Sequence, residues 1–167
     1  MRRRQMLGAL AVTSVGLSTR VGAQNAASAS KPMPSTATAS PAPPTHVAGA
    51  TPSPSNALCY IIWPPDGAVI SGGKLWVRMG LRNMGVCPKG FNVPNTGHHH
   101  LIVDTDLPPF DQEIPSDRQH LHYGAGQTDA RLELAPGKHT LQLLLGDANH
   151  RPHDPPVYSK KITVLVR

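Results

Sequence analysis

The sequence has no apolar run long enough to cross a membrane as a helix, and it has no cluster of positive charge after its first residues. A membrane-spanning helix needs roughly 20 consecutive apolar residues, so we expect no membrane span in the mature protein. Once residues 1–23 are set aside, Lys160 and Lys161 form the one basic pair. Phosphate recognition requires clustered Lys and Arg, and nucleic-acid binding is therefore not expected.

A helical repeat is also missing, because proline and glycine interrupt the chain throughout. Apolar residues instead occur in short runs or alternate with polar residues, which is typical of strands. Six or seven short strands within residues 56–167 predict one antiparallel β-sandwich of immunoglobulin-like kind, with a jelly roll or small barrel as the alternative. The predicted strands cover residues 58–63, 74–82, 101–103, 131–134, 139–145 and 157–166.

The first residues have the pattern of an export signal. Arg2, Arg3 and Arg4 precede a short apolar stretch, and Val21-Gly22-Ala23 suits signal peptidase. The paired arginines favour the twin-arginine route over an ordinary secretory signal, and both routes lead to the same compartment. We therefore expect residues 1–23 to be a signal peptide and the protein to be periplasmic.

A low-complexity stretch follows the export signal. Residues 24–55 are almost wholly Ala, Ser, Pro and Thr, without aromatic residues. This composition cannot bury enough apolar surface to order itself. The sequence thus predicts a disordered linker over residues 24–55 and a histidine-rich β-sandwich domain over residues 56–167.

The chain has two cysteines, Cys59 and Cys87. Because cysteines in exported proteins tend to oxidise, a single disulfide is the default expectation. The alternative is a pair of thiolates that binds a soft metal ion.

Eight of the nine histidines lie between His98 and His153, and most of them are clustered. Side chains of an extended strand alternate between its two faces, so His98 and His100 should share one face, while His99 points to the other. His120 and His122 should share a face for the same reason. A proline-rich loop carries the third cluster, which consists of His150 and His153, and His139 stands apart at the start of a strand.

The histidine clusters favour a metal site, since neutral imidazole is the commonest protein ligand for Cu²⁺ and Zn²⁺. A hydrogen-bonding role in the core is the alternative for each ring. Ligating rings usually donate their second N–H to a carboxylate or carbonyl. The expected ligands are His98, His100, His120, His122, His150 and His153, and the expected supporting residues are His99, Asp104, Asp147 and Asp154, of which the last two could also ligate directly.

An enzyme is the less favoured reading. The chain has no G-x-S-x-G motif for a serine nucleophile, and bridged cysteines would exclude cysteine chemistry. Asp104 or Asp117 could serve as the base beside a catalytic zinc ion, but no motif supports either. The glycine-containing stretch 124–129 lacks the following helix of a phosphate loop and is interpreted as a tight turn beside His122.

Long motifs of the chain resemble a known family. "TGHHHLIVD" and "HLHYGAGQTDARLELAPGKHTLQLLLGDANHRPHDPP" are similar to exported bacterial proteins of the domain-of-unknown-function 4399 family, and so is the preceding "WPPDGAVISGGKLWVRMGLRNMGVCPKG". The resemblance covers nearly all of residues 58–166. It implies an exported domain with a histidine-rich surface and no established reaction. The resemblance does not imply the disulfide, which is expected from the compartment alone.

The sequence favours a periplasmic protein that sequesters or delivers copper or zinc through a multi-histidine site, with the metal ion as its partner. One alternative is a metal-free sandwich that binds a protein or polysaccharide of the cell envelope. The other is a small metal-dependent enzyme.

Overall fold

The computed structural model describes residues 47–167, which form nine β-strands. Six of these strands correspond to the predicted ranges, and β6 carries His120 and His122, which were expected to share a strand face. No strand was predicted for the stretches that form β2 and β4. Within this range there is no helix with the length and apolar character needed to span a bilayer. The strands are β1 (Leu58–Trp63), β2 (Ala68–Ile70), β3 (Lys74–Arg82), β4 (Gly85–Val86), β5 (Thr96–Val103), β6 (His120–His122), β7 (Asp129–Glu133), β8 (Gly137–Gly146) and β9 (Ile162–Val166).

The strands form two sheets. The smaller sheet has the order β1-β3-β7 and is antiparallel. In the larger sheet, of order β2-β9-β8-β5, the outer edge of β5 pairs first with β4 and further along with β6. The β2–β9 and β4–β5 pairs are parallel, and the remaining pairs are antiparallel. The predicted all-β, immunoglobulin-like sandwich is confirmed.

The main core lies between the two sheets and is aliphatic. Strand β3 shows how the sequence forms it: Leu75, Val77 and Met79 are buried, whereas Trp76 and Arg78 between them are exposed. This period-two pattern places one face of β3 against the larger sheet. That sheet contributes Leu101, Leu141, Leu143, Leu145 and Val164 to the same core.

The outer face of the larger sheet is also covered. Ile102 of β5 and Leu144 of β8 form a second cluster with Ile114, and Leu107 and Phe110 pack against it. These three covering residues come from the connection between β5 and β6, residues 104–119. Both faces of β5 are therefore buried, and histidines on either face are withdrawn from bulk water.

The structure corrects the disulfide prediction, because Cys59 and Cys87 are free thiols. Cys59 lies in β1 of the smaller sheet and points into the core, where its Sγ is 3.6 Å from Nδ1 of His99. Cys87 follows β4 at the edge of the larger sheet, where its backbone N–H donates to Gly97 O. Cys59 thus lies in the smaller sheet, whereas Cys87 follows a strand of the larger sheet. The expectation of a disulfide rested on the oxidising compartment, which carries no information about these positions.

Residues 47–54, here called the strap, fall within the stretch predicted as linker, yet they are hydrogen-bonded to the sandwich. Asp154 N–H donates to Thr51 O, and Ser53 N–H donates to Asp154 O, each at 3.0 Å. Pro52 and Asp154 thus form an isolated parallel bridge. The predicted signal peptide and residues 24–46 of the predicted linker lie outside the described residues.

Candidate metal centre

Four histidines meet on the outer face of the larger sheet. His100 of β5 is paired directly with His122 of β6, and His98 lies two residues earlier on the same face of β5. His150 reaches them from the loop after β8. The six distances between the ring centroids of these residues run from 4.2 Å to 5.6 Å. We call His98, His100, His122 and His150 the four-histidine cluster.

The cluster has a buried side and a side nearer to solvent. His98 and His100 are 1% and 0% exposed, whereas His122 and His150 are partly exposed. Ile114, which covers the outer face, also donates its backbone N–H to His150 O at 2.7 Å. The site is therefore enclosed by apolar side chains and opens past the two less buried rings.

Two glycines make room for these rings. A Cβ on Gly146, which pairs with His98 across the strands, would lie 2.9 Å from Nε2 of His100. A Cβ on Gly124, just after β6, would overlap the ring of His122. A larger residue at either position would displace an imidazole, so the local backbone is adapted to the cluster.

The spacing of the ring nitrogens suits one metal ion. Nε2 of His98 and Nε2 of His100 are 3.2 Å apart. Two nitrogens bound to one tetrahedral ion at about 2.0–2.1 Å lie roughly 3.3–3.4 Å from each other. One nitrogen each of His98, His100 and His122 falls within 4.8 Å of the others, which is compatible with a shared ion.

Several ring nitrogens of the cluster have no hydrogen-bond partner. They are Nδ1 of His98, Nδ1 of His100, Nε2 of His122 and Nε2 of His150, all buried. Buried polar atoms in proteins are nearly always paired, and exceptions call for a physical reason such as an ion or water. In His122 and His150 the partnerless nitrogen is Nε2, whereas in His98 and His100 it is Nδ1 and the two Nε2 atoms face each other. The partnerless nitrogens therefore mark the cluster as a place for an ion together with water.

Burial keeps the cluster neutral. Desolvation, reinforced by the neighbouring rings, lowers the pKa of His98 to about 4 and that of His100 to about 2. Desolvation also lowers the pKa of His122 and of His150, and the nearby ammonium group of Lys89 adds to both effects. All four rings are thus mainly in the neutral form near pH 7, and this is the form that binds metal ions.

The other two predicted ligands lie elsewhere. His120 is on the face of β6 that carries His122, but its Nδ1–H donates to the carboxylate of Asp117 at 3.0 Å. His153 is 2% exposed and its Nε2–H donates to Thr96 O at 3.1 Å. Its ring lies beside Gly97 and makes no ring contact with the four-histidine cluster.

The predicted supporting residues have partners other than the cluster rings. His99 points into the main core beside Cys59, and desolvation lowers its pKa to about 4. Asp104 accepts hydrogen bonds from His139 Nδ1–H and Thr140 N–H at the far end of β5. Asp147 organises the loop of His150, and Asp154 accepts a hydrogen bond from the backbone N–H of Val47 in the strap.

The structure gives two residues near these histidines a role that the sequence did not predict. Asp117, considered only as a possible base, is the hydrogen-bonding partner of His120, and the spacing of three residues between them was the available signal. Lys89 lies close enough to lower the pKa of three cluster rings, and its backbone N–H donates to Gly124 O at 2.8 Å. Nothing in the local sequence pattern pointed to Lys89.

Comparison with known proteins defines the family. No curated protein matches the chain. One similar solved structure is that of the fibronectin(III)-like modules of Clostridium thermocellum CbhA, at 12% identity over 65% of this chain and 93% of that chain, with a TM-score of 0.33. Residues 77–167, more than half of the sequence, match the family described as "Domain of unknown function (DUF4399)". The chain therefore belongs to this family.

Proposed function

We propose that this protein is a periplasmic metal-binding protein that sequesters or delivers Cu²⁺ or Zn²⁺ through the four-histidine cluster. The observation that carries the proposal is the 3.2 Å separation of the Nε2 atoms of His98 and His100, with a nitrogen of His122 in reach of the same ion. The export signal predicted in residues 1–23 supports the compartment.

A hydrogen-bonding role explains other histidines of the chain better than it explains the cluster. The rings of His139 and His153 donate to oxygen acceptors. The cluster rings instead face one another, and within the described residues none of their ring nitrogens is hydrogen-bonded to an oxygen atom. Leaving a buried nitrogen unpaired costs about 1–3 kcal/mol. A bound ion would offset that cost where the unpaired nitrogen is the ligating one, as for Nε2 of His122 and His150.

The donor set favours a divalent ion. Nitrogen ligands suit Cu²⁺ and Zn²⁺, and the general affinity order of divalent ions places copper above zinc. Cu⁺ prefers sulfur ligands, but Met79 is buried in the main core and Met84 packs against that core. These two methionines, the ones within the described residues 47–167, therefore add nothing to this site, and Cu⁺ is the less suitable ion.

We favour binding over catalysis because a fourth histidine lies beside the three whose ring nitrogens reach one another. Catalytic zinc sites usually have three protein ligands and an open position for water. His150 is outside that group of three, but its ring centroid is 4.2 Å from that of His122. A shift of its side chain would make it the fourth ligand and would leave a tetrahedral ion without an open position.

The test is metal binding by tag-free protein, measured by elemental analysis and by titration with Zn²⁺ and with Cu²⁺. We expect one ion per chain, and we expect His98→Ala/His100→Ala to weaken binding at least 100-fold. His139→Ala is the matched control, because its ring is hydrogen-bonded to Asp104 outside the cluster. Native protein that takes up no metal, or a double variant that binds as tightly as native, would contradict the proposal.

A second candidate function is binding of an envelope protein or polysaccharide, and one observation favours it. Trp63 and Trp76, the two tryptophans of the chain, are 49% and 56% exposed. Exposed aromatic side chains are common at recognition surfaces. Co-sedimentation with isolated cell-wall polysaccharide tests this candidate; we expect native protein to pellet and Trp63→Ala/Trp76→Ala to remain in solution.

A further inference from the structure

The loop that carries His150 is organised by one buried carboxylate. Asp147 follows β8 directly and is 2% exposed. Its Oδ1 accepts hydrogen bonds from the backbone N–H groups of Asn149 and Arg151, at 2.8 Å and 2.9 Å. Its own backbone accepts from His150 N–H and donates to Arg151 O. Residues 147–151 thus form a closed turn around this side chain.

His150 has a backbone conformation that needs such support. Its φ is 62°, in the left-handed region that residues other than glycine rarely adopt. The hydrogen bonds within the turn to Asp147 stabilise it. Ile114, from the connection between β5 and β6, also donates its backbone N–H to His150 O. Together they aim the imidazole at His122 and His98.

The second oxygen of Asp147 is bound from outside the sandwich. Oδ2 accepts a hydrogen bond of 2.6 Å from Oγ1 of Thr51, which lies in the strap, 96 positions earlier in the chain. The strap is fixed beside this loop by its backbone bonds to Asp154. Both oxygens of the carboxylate are therefore engaged, and Thr51 links the strap to the turn that presents His150.

We propose that Thr51 and Asp147 are positioning residues of the metal centre, so that the strap controls how tightly the ion is held. This inference rests on the proposed function. Without the Thr51 hydroxyl, the buried carboxylate of Asp147 loses one of its three hydrogen bonds. The turn is then held less firmly, and the left-handed conformation of His150 is less well stabilised. His150 then leaves the ion more often, and the ion dissociates faster.

Three substitutions in the full chain separate this role from a general effect on stability. Thr51→Val removes the hydroxyl and keeps the shape of the side chain, whereas Thr51→Ser keeps the hydroxyl. Ser53→Ala is the matched control, because it removes a different strap hydrogen bond, the 2.6 Å bond from Ser53 Oγ to Pro155 O. Zn²⁺ affinity by titration and Zn²⁺ release to a chromophoric chelator are measured for each variant.

We expect Thr51→Val to weaken Zn²⁺ affinity about 10-fold, the lower end of the range for residues that support metal ligands, mainly through faster release. Thr51→Ser and Ser53→Ala should stay within about twofold of native, since the Asp147 bond survives in both. In the metal-free protein, Thr51→Val should also speed hydrogen exchange at the amides of Asn149 and Arg151.

The outcomes distinguish the two proposals. Native binding of Zn²⁺ together with unchanged release from Thr51→Val would overturn the positioning role and leave the proposed function standing. An equal loss in Ser53→Ala would also overturn it, because the strap would then act through overall stability. Native protein that binds neither Zn²⁺ nor Cu²⁺ would overturn both.

Discussion

His139 donates a hydrogen bond from each of its ring nitrogens. Nδ1–H donates to Asp104 Oδ2 at 2.7 Å, and Nε2–H donates to Ala135 O at 2.9 Å. A ring that donates from both nitrogens is an imidazolium ion. The bond to Asp104 raises the pKa of His139 above its ordinary value. His139 lies on β8, and Asp104 directly follows its neighbour β5. This pair is therefore at the opposite end of the two strands from the neutral histidines.

His139→Gln should destabilise the protein more at acid than at alkaline pH. The folded protein has the raised pKa, so the stabilisation is fully present below the unfolded-state pKa of about 6.5 and is lost as pH rises through the folded-state value. For this partly exposed pair we expect about 0.5–1 kcal/mol more loss at about pH 5.5 than at about pH 8.5. Urea unfolding of native and variant protein measures it. The same loss at both pH values would contradict an imidazolium.

His100→Leu should have the opposite pH dependence in the metal-free protein. The unfolded chain takes up a proton at His100 below about pH 6.5, whereas the folded protein, with its lowered pKa, does not, so native stability falls as pH falls. The leucine variant lacks this effect and should gain about 2 kcal/mol relative to native between about pH 8 and about pH 5. Urea unfolding in the presence of EDTA measures the gain.

The same variant should lose the metal ion. A gain in relative stability at acid pH together with weaker binding is the pattern expected when a buried polar residue is retained for function. A leucine variant that still binds Zn²⁺ with native affinity would show that His100 is a structural histidine.

Gly124→Ala should weaken metal binding without unfolding the sandwich. The new Cβ overlaps the ring of His122, which must then turn away from His98 and His100. We expect at least a 10-fold rise in Kd for Zn²⁺, because a displaced ligand costs on the order of 1–2 kcal/mol or more. Titration with Zn²⁺ measures this, and far-ultraviolet circular dichroism checks the fold. Ala125→Ser, at the adjacent exposed position, is the control.

The two thiols should react at very different rates with a thiol reagent such as DTNB. Burial raises the pKa of Cys59 to about 12, and this side chain is 1% exposed. Cys87 is partly exposed. We expect one thiol per chain to react in the native protein and the second to react only after unfolding in urea. Protein without any reactive thiol in urea, before reduction, would contradict the free cysteines and restore the disulfide.

Strand periodicity predicted much of the fold and part of the site. The alternation along β3 predicted its buried face. In β5, the pleat of an extended strand placed His98 and His100 on one side with His99 on the other. That information is local, because the pleat of a strand alone decides which residues share a face.

The remaining features depend on contacts between distant parts of the chain. His150 and His153 belong to one loop, yet only His150 joins the cluster, because Asp147 and Thr51 shape the turn across 96 positions. No periodicity encodes that geometry. The disulfide prediction was wrong for a related reason: compartment and cysteine count say nothing about which sheet each cysteine joins.

Because β5 is buried on both faces, its register in the sheet is specified more strongly than burial of one face would specify it. Deletion of a single residue before His98 would turn every later side chain over. His99 would then face the rings of His122 and His150, while His98 and His100 would enter the aliphatic layer that contains Leu101, Leu143 and Leu145. Length changes in this region of homologous chains should therefore be confined to the flanking loops, where an inserted residue does not change which face of β5 each side chain occupies.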